Sequence, residues 1–164
     1  MRLVAVDGPS GAGKSTFARA LAGDFRARDV PVVLLSTDEF ATWTDPVAWW
    51  PRLEEGVLRP LAAGYPGSYR RMEWPPEGPR LGATVTVPVP GVLVLEGVSS
   101  GRTSVRPLLS HLWWVDGGDE ASRLARSVAR DGLDHRADLR RWQLFERGWF
   151  AVDGTRAAAG SHVG

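Results

Sequence analysis

Eight consecutive residues, Gly8-Pro9-Ser10-Gly11-Ala12-Gly13-Lys14-Ser15, carry the most specific chemistry in this sequence. They fit the spacing G-x-x-x-x-G-K-[ST], in which glycines let successive backbone N–H groups converge on phosphate oxygens. Lys14 has the reach for the β- and γ-phosphates of a nucleotide, and the Ser15 hydroxyl can ligate Mg²⁺. The expected binding set is Gly8, Ser10, Gly11, Ala12, Gly13, Lys14, Ser15 and Thr16. Lys14 is the one lysine among 20 lysine and arginine residues, so this position kept an ammonium where arginine serves everywhere else. The chain has no asparagine, which removes any N-K-x-D guanine motif and makes ATP the default nucleotide.

Phosphate chemistry on a hydroxyl needs one carboxylate to accept a proton and another to position the metal or its waters. Three acids follow apolar runs, where ligands gather in open α/β sheets. Asp38 comes after Val32–Leu35, Glu96 after Val92–Leu95, and Asp116 after Leu112–Val115. Asp38 is read as the base that meets an acceptor, and Glu96 as the metal-side acid, with Asp116 left open as its alternative. Further on, Arg123, Arg126 and Arg130 recur at spacings of three and four and share one helix face. Such a face can close over a transferring phosphoryl group and exclude water, with Arg126 and Arg130 as catalytic candidates.

The elements that must position these residues follow from hydrophobic periodicity. Arg2–Val6 reads as a buried strand running into the glycine-rich loop, and Ser15–Arg28 as a helix with Phe17, Ala18, Leu21, Ala22 and Phe25 on one face. Val32–Leu35, Val92–Leu95 and Leu112–Val115 read as further strands, and Asp119–Arg130 and Arg136–Phe150 as amphipathic helices. Between them, residues 41–90 change character, with Trp43, Trp49, Trp50 and Trp74 among many prolines and glycines. Pro46–Leu61 reads as a helix there and Thr84–Val89 as a strand or hairpin arm. Strands alternating with helices predict an α/β fold with a mostly parallel central sheet and helices on both faces.

Length and composition bound the rest. At 164 residues the chain is expected to form a single domain, 1–164. A formal charge of +1 gives no field of the kind that holds a protein to nucleic acid or anionic lipid. With no cysteine there is no disulfide, thiolate or Cys-ligated metal. The three histidines, His111, His135 and His162, have no metal-ligand spacing. The first apolar run is broken by Asp7 after four residues, too short for a signal-peptide core or a membrane span. The expectation is a cytoplasmic protein, monomer or homodimer, acting on a small molecule.

The order of motifs resembles the uridine kinase and phosphoribulokinase-like branch of the P-loop kinases. Gly8 to Thr16 reads G-P-S-G-A-G-K-S-T, Thr37 to Phe40 looks like the family's D-x-F segment, and Val92 to Gly97 resembles its apolar strand ending in Glu-Gly. Arg123-Leu124, Arg126 and Arg130-Asp131 look like its R-L-x-R-x-x-x-R-D lid helix, which places a lid over 119–135. The resemblance implies a P-loop NTPase fold and transfer of the γ-phosphoryl of ATP, with Mg²⁺, to a hydroxyl of a nucleoside, sugar or similar small metabolite. It implies Asp38 as base and 41–90 as the acceptor-binding region. Nucleoside kinases of this family carry a tyrosine and, five residues on, a histidine against the nucleobase. Tyr69 fits the tyrosine, whereas Trp74 stands at the histidine position and offers a stacking surface with one N–H donor. Asp38, Tyr69, Arg71 and Trp74 are the expected acceptor residues. The alternative reading is a nucleotide-binding regulatory ATPase without an acceptor.

Overall fold

The structure, a computed structural model, describes residues 1–75 and 77–164. Its centre is a five-stranded parallel sheet in the order β2-β5-β1-β6-β7, built from β1 (Arg2–Asp7), β2 (Val32–Ser36), β5 (Val92–Glu96), β6 (Leu109–Val115) and β7 (Ser161–Val163). The short runs Leu3–Val6 and Val92–Leu95 are apolar without alternation because both faces of the sheet are covered. Successive side chains of a strand point to opposite faces, and the packing follows that rule. Leu3, Leu93 and Leu95 join one cluster with Phe40, Leu53, Val57 and Leu61. Val4, Val6, Val92 and Val94 join the other with Ala18, Phe17 and Leu21 of α1 (Lys14–Arg26).

The region between β2 and β5 is more ordered than its proline content predicts. The expected helix at Pro46–Leu61 starts at Trp50, where Pro51 occupies the first turn, as α2 (Trp50–Leu53). It runs through a π-turn (Glu54–Leu58) into α3 (Arg59–Ala62). Pro60 lies within this run and has no N–H to donate, and the wider turn precedes it. The expected arm Thr84–Val89 is the later part of β4 (Arg80–Val87), which pairs antiparallel with β3 (Gly67–Glu73) as a separate hairpin. Its partner strand escaped the sequence reading because Gly67–Glu73 carries four polar or charged residues and little apolar alternation.

After β6 come α4 (Glu120–Asp131), capped by the Asp119 carboxylate on the Ser122 N–H, then α5 (Arg136–Asp153) and α6 (Thr155–Ala158). Arg102 pins α2 to α5, its guanidinium lying 4.6 Å from the Trp50 ring and 4.8 Å from that of Trp149. Strand β7 had no sequence signal: three residues are too few for a period to show. No helix among the described residues is long and apolar enough to cross a membrane.

Candidate active site

The phosphate loop leaves β1 at its carboxyl end and enters α1 at Lys14. Gly13 caps that helix at φ +96°, a left-handed conformation open to glycine, and a β-carbon there would meet nothing within 4 Å. The space above the helix N-terminus is therefore open, and the helix dipole favours an anion in it. Lys14 is buried and its Nζ donates to the Pro9 carbonyl at 2.9 Å, curling the side chain back over the loop.

Two acids that the sequence reading passed over hold this loop. Asp7, fully buried, accepts from the N–H groups of Gly8 at 2.7 Å, Gly101 at 2.8 Å and Ser99 at 3.2 Å, joining the loop to the segment after β5. Burial pushes its carboxyl up to about 7, against the pull of those donors and of Lys14. Glu146 on α5 accepts the Ser10 N–H at 2.9 and 3.0 Å and the Ser10 hydroxyl at 2.8 Å. Burial raises its carboxyl too, with Lys14, Ser10 and Arg123 opposing. A signal for Glu146 existed: it falls on the same helical face as Leu139, Trp142 and Gln143, where an acid needs a partner.

Glu96, at the end of β5, is buried with both carboxylate oxygens 3.2 Å from the Ser15 hydroxyl. Burial raises its carboxyl, the nearby Asp38 charge pushes the same way, and Ser36, Lys14 and Ser15 oppose. Gly97 follows at φ +124°, and a β-carbon there would come within 2.0 Å of Thr37 Oγ1. This close approach brings the end of β5 against the 3₁₀ turn Thr37–Glu39 that presents Asp38, whose N–H donates to Ser36 Oγ. Phe40, 1% exposed, anchors that turn by stacking on Tyr69 at 4.6 Å and Trp49 at 5.3 Å.

Hard oxygen donors at Ser15 and Glu96 suit Mg²⁺, which keeps much of its shell as water and phosphate oxygens. Among the described residues no group of three or more His, Cys, Asp or Glu forms a closed cage. Asp116, the other candidate, is occupied: it accepts from Trp114 Nε1 at 2.9 Å and pairs with Arg156 at 3.1 Å.

The three arginines of α4 on this side divide. Arg126 donates from Nε to the Gly11 carbonyl at 2.7 Å and from its other arm to Gly117, and Arg123 donates to Gly118. Arg126 thus ties α4 to the phosphate loop, while Arg123 and the second arm of Arg126 hold the segment between β6 and α4. Arg130 forms a two-pronged pair with its neighbour Asp131 at 2.6 and 2.7 Å. The charges of Asp131, Asp38 and Glu96 all favour its cationic form.

Two cavities meet here. One, of about 260 Å³, is lined by the phosphate loop with Arg19, Glu96, Arg126 and the buried Ser127, whose hydroxyl has no partner. The other, of about 670 Å³, lies between Trp74 at the end of the hairpin and Trp142 of α5, beside Trp43 and His135. Ser10, Asp38 and Arg130 line both. Of the expected acceptor residues, Asp38 and Trp74 are in the larger cavity. Tyr69 is not: it is buried against Phe40 with its hydroxyl donating to Glu39 at 2.7 Å, and burial with that bond raises its pKa. Arg71 is exposed and faces Glu73 at 3.8 Å, also outside the cavity. Trp43, which the sequence also offers as a pocket residue, is on the cavity wall, joined by His135 and Trp142.

No protein-family model and no curated protein matches the sequence. Solved structures do match in shape. A Bacillus stearothermophilus protein described as a possible uridine kinase superposes with a TM-score of 0.73 over 99% of this chain and 88% of its own, at 16% identity. The two chains share one fold. A second structure with this fold, a candidate fructose transport system kinase from Silicibacter sp. TM1040, superposes with a TM-score of 0.66. It covers 99% of this chain and 89% of its own, at 22% identity. The expected α/β architecture, a mostly parallel central sheet with helices on both faces, is thus the one observed, and the phosphate loop follows its central strand, β1.

Proposed function

We propose that this chain is an ATP-dependent phosphotransferase whose acceptor is a hydroxyl on a small molecule. The observation that carries the reading is that Asp38 and Arg130 line both the phosphate-loop cavity and the larger one beside it. A passive nucleotide binder has no need of a carboxylate between its nucleotide and a second pocket.

In this reading the loop amides and Lys14 hold the phosphates, with Lys14 exchanging the Pro9 carbonyl for a phosphate oxygen. Ser15 and Glu96 hold Mg²⁺, which when bound neutralises charge on the phosphate oxygens. Asp38 accepts the proton of the acceptor hydroxyl as its oxygen forms the new P–O bond, and the bond from the γ-phosphorus to the bridging oxygen breaks to release ADP. Arg130, kept paired with Asp131, supplies positive charge beside the transferring group, and Arg126 keeps the lid helix seated on the loop.

The test is ATP consumption with Mg²⁺ across nucleosides, sugars, amino sugars, hydroxy acids and aromatic alcohols, with Lys14→Ala as control. Lysine-dependent turnover with one acceptor class supports the reading. Tight ATP binding with no acceptor-dependent turnover favours a regulatory ATPase instead.

A further inference from the structure

Resting on the kinase reading, we infer that the acceptor is a planar aromatic compound bearing a hydroxyalkyl arm, and not a polyol. The larger cavity, about 670 Å³, has room for one or two fused rings with a short arm. Its wall is aromatic. The Trp43 ring lies 5.4 Å from Trp74 at 65° and 5.9 Å from Trp142 at 82°, and stacks on His135 at 6.3 Å. Pro75, Pro79 and Leu139 extend the same apolar surface. Trp43 and Trp74 remain 36% and 47% exposed, a large aromatic surface left wet inside a concavity.

The polar groups of the cavity are mostly spoken for. Ser10 Oγ donates to Glu146 at 2.8 Å. Thr42 Oγ1 lies 3.3 Å from Thr44 Oγ1 and accepts the Asp45 N–H at 2.9 Å. Arg130 and Asp131 are closed on one another. Among the described lining residues this leaves the Asp38 carboxylate, at the mouth shared with the phosphate cavity, and the His135 ring with the indole N–H groups. One hydroxyl can be served at Asp38. A hexose or a ribose would bury several against a wall whose other free groups are one imidazole and single indole N–H donors, and each hydroxyl left unpaired costs roughly ten-fold in affinity. A flat ring stacked on indoles brings no such debt, and the hydroxyl and guanidinium that could read a pyrimidine edge, those of Tyr69 and Arg71, lie outside.

The experiment uses the full chain with ADP and Mg²⁺, so that binding is read without turnover. Tryptophan fluorescence and calorimetry would follow titration with 4-(hydroxymethyl)pyridine and 2-naphthalenemethanol, against glucose and uridine. The expected result is that at least one hydroxymethyl arene binds ten-fold or more tightly than glucose and uridine, and that Trp74→Ala loses this preference while ADP still binds. Should Trp74→Ala fail to fold, Trp74→Leu keeps the apolar bulk without the π-face and should show the same loss. Glucose or uridine binding more tightly than both arenes, neither arene binding, or arene affinity indifferent to Trp74 would overturn the inference. Arene binding without lysine-dependent ATP consumption would remove the kinase reading and leave the ligand class standing; turnover of a polyol would do the reverse.

Discussion

Glu146, 2% exposed on α5, receives both the backbone N–H and the hydroxyl of Ser10, 136 residues away in the phosphate loop. Leu139 and Trp142, which wall the larger cavity, sit seven and four positions earlier on the same helix face. One helix therefore holds the phosphate loop at one level and borders the second pocket at the next. It also reaches α4, with Gln143 donating to the Glu120 carbonyl at 3.2 Å.

Glu146→Gln keeps the volume and one acceptor but removes the charge, and Glu146→Ala removes the clamp. Hydrogen bonds to a charged group contribute about 1.5–3 kcal/mol, so the alanine variant should weaken ADP binding by roughly ten- to a hundred-fold and the glutamine variant by less. Calorimetric titration beside a circular dichroism spectrum checks it. Unchanged affinity in a folded alanine variant would reduce Glu146 to packing.

Asp38 is exposed on a turn anchored by Phe40, so Asp38→Asn should leave fold and ATP affinity intact. The loss belongs to the proton-accepting step, and kcat should fall by about 10²–10⁴. Steady-state kinetics with any accepted substrate decides this; an undiminished kcat removes Asp38 from the base role.

Asp7 gives a pH signature. Its carboxyl is raised from 3.8 to about 7 in the folded chain, so between pH 4 and 7 the native state holds a proton that the unfolded state has released. Stability from this group is full below pH 4 and declines as pH rises toward 7. Glu96 and Glu146 are raised as well and act in the same direction. Urea denaturation of wild type and Asp7→Asn at pH 5 and pH 7.5 isolates Asp7: the variant should lose less stability over this interval. Equal slopes would show that Asp7 does not titrate there.

Tyr69→Phe tests the placement of the tyrosine outside the acceptor cavity. The variant loses the hydroxyl bonded to Glu39 and keeps the stack on Phe40, so stability should fall by about 1 kcal/mol. The KM of an accepted substrate should not move. A several-fold rise in KM would place the tyrosine on the acceptor after all.

The phosphate-loop motif, the strand and helix that flank it, and the positions of the α4 arginines and of Asp38 and Glu96 near it were legible because each is a local signal. A fixed spacing, an apolar run that ends in an acid, and a three-four repeat are written within a dozen residues of chain. The hairpin strand Gly67–Glu73 and the edge strand Ser161–Val163 were not, because a mostly polar strand and a three-residue strand carry no period. Tertiary packing alone decided that Glu146 closes on Ser10, that Asp7 reaches Ser99 and Gly101, and that Tyr69 turns to Glu39 while Trp142 and His135 line the cavity. The first two pairs are separated by more than 90 residues, and Tyr69, 30 residues from Glu39, is set by its stack on the buried Phe40. No residue's own type reveals its partner at that distance: a buried carboxylate must be satisfied, and only the packed chain brings the N–H groups that satisfy it.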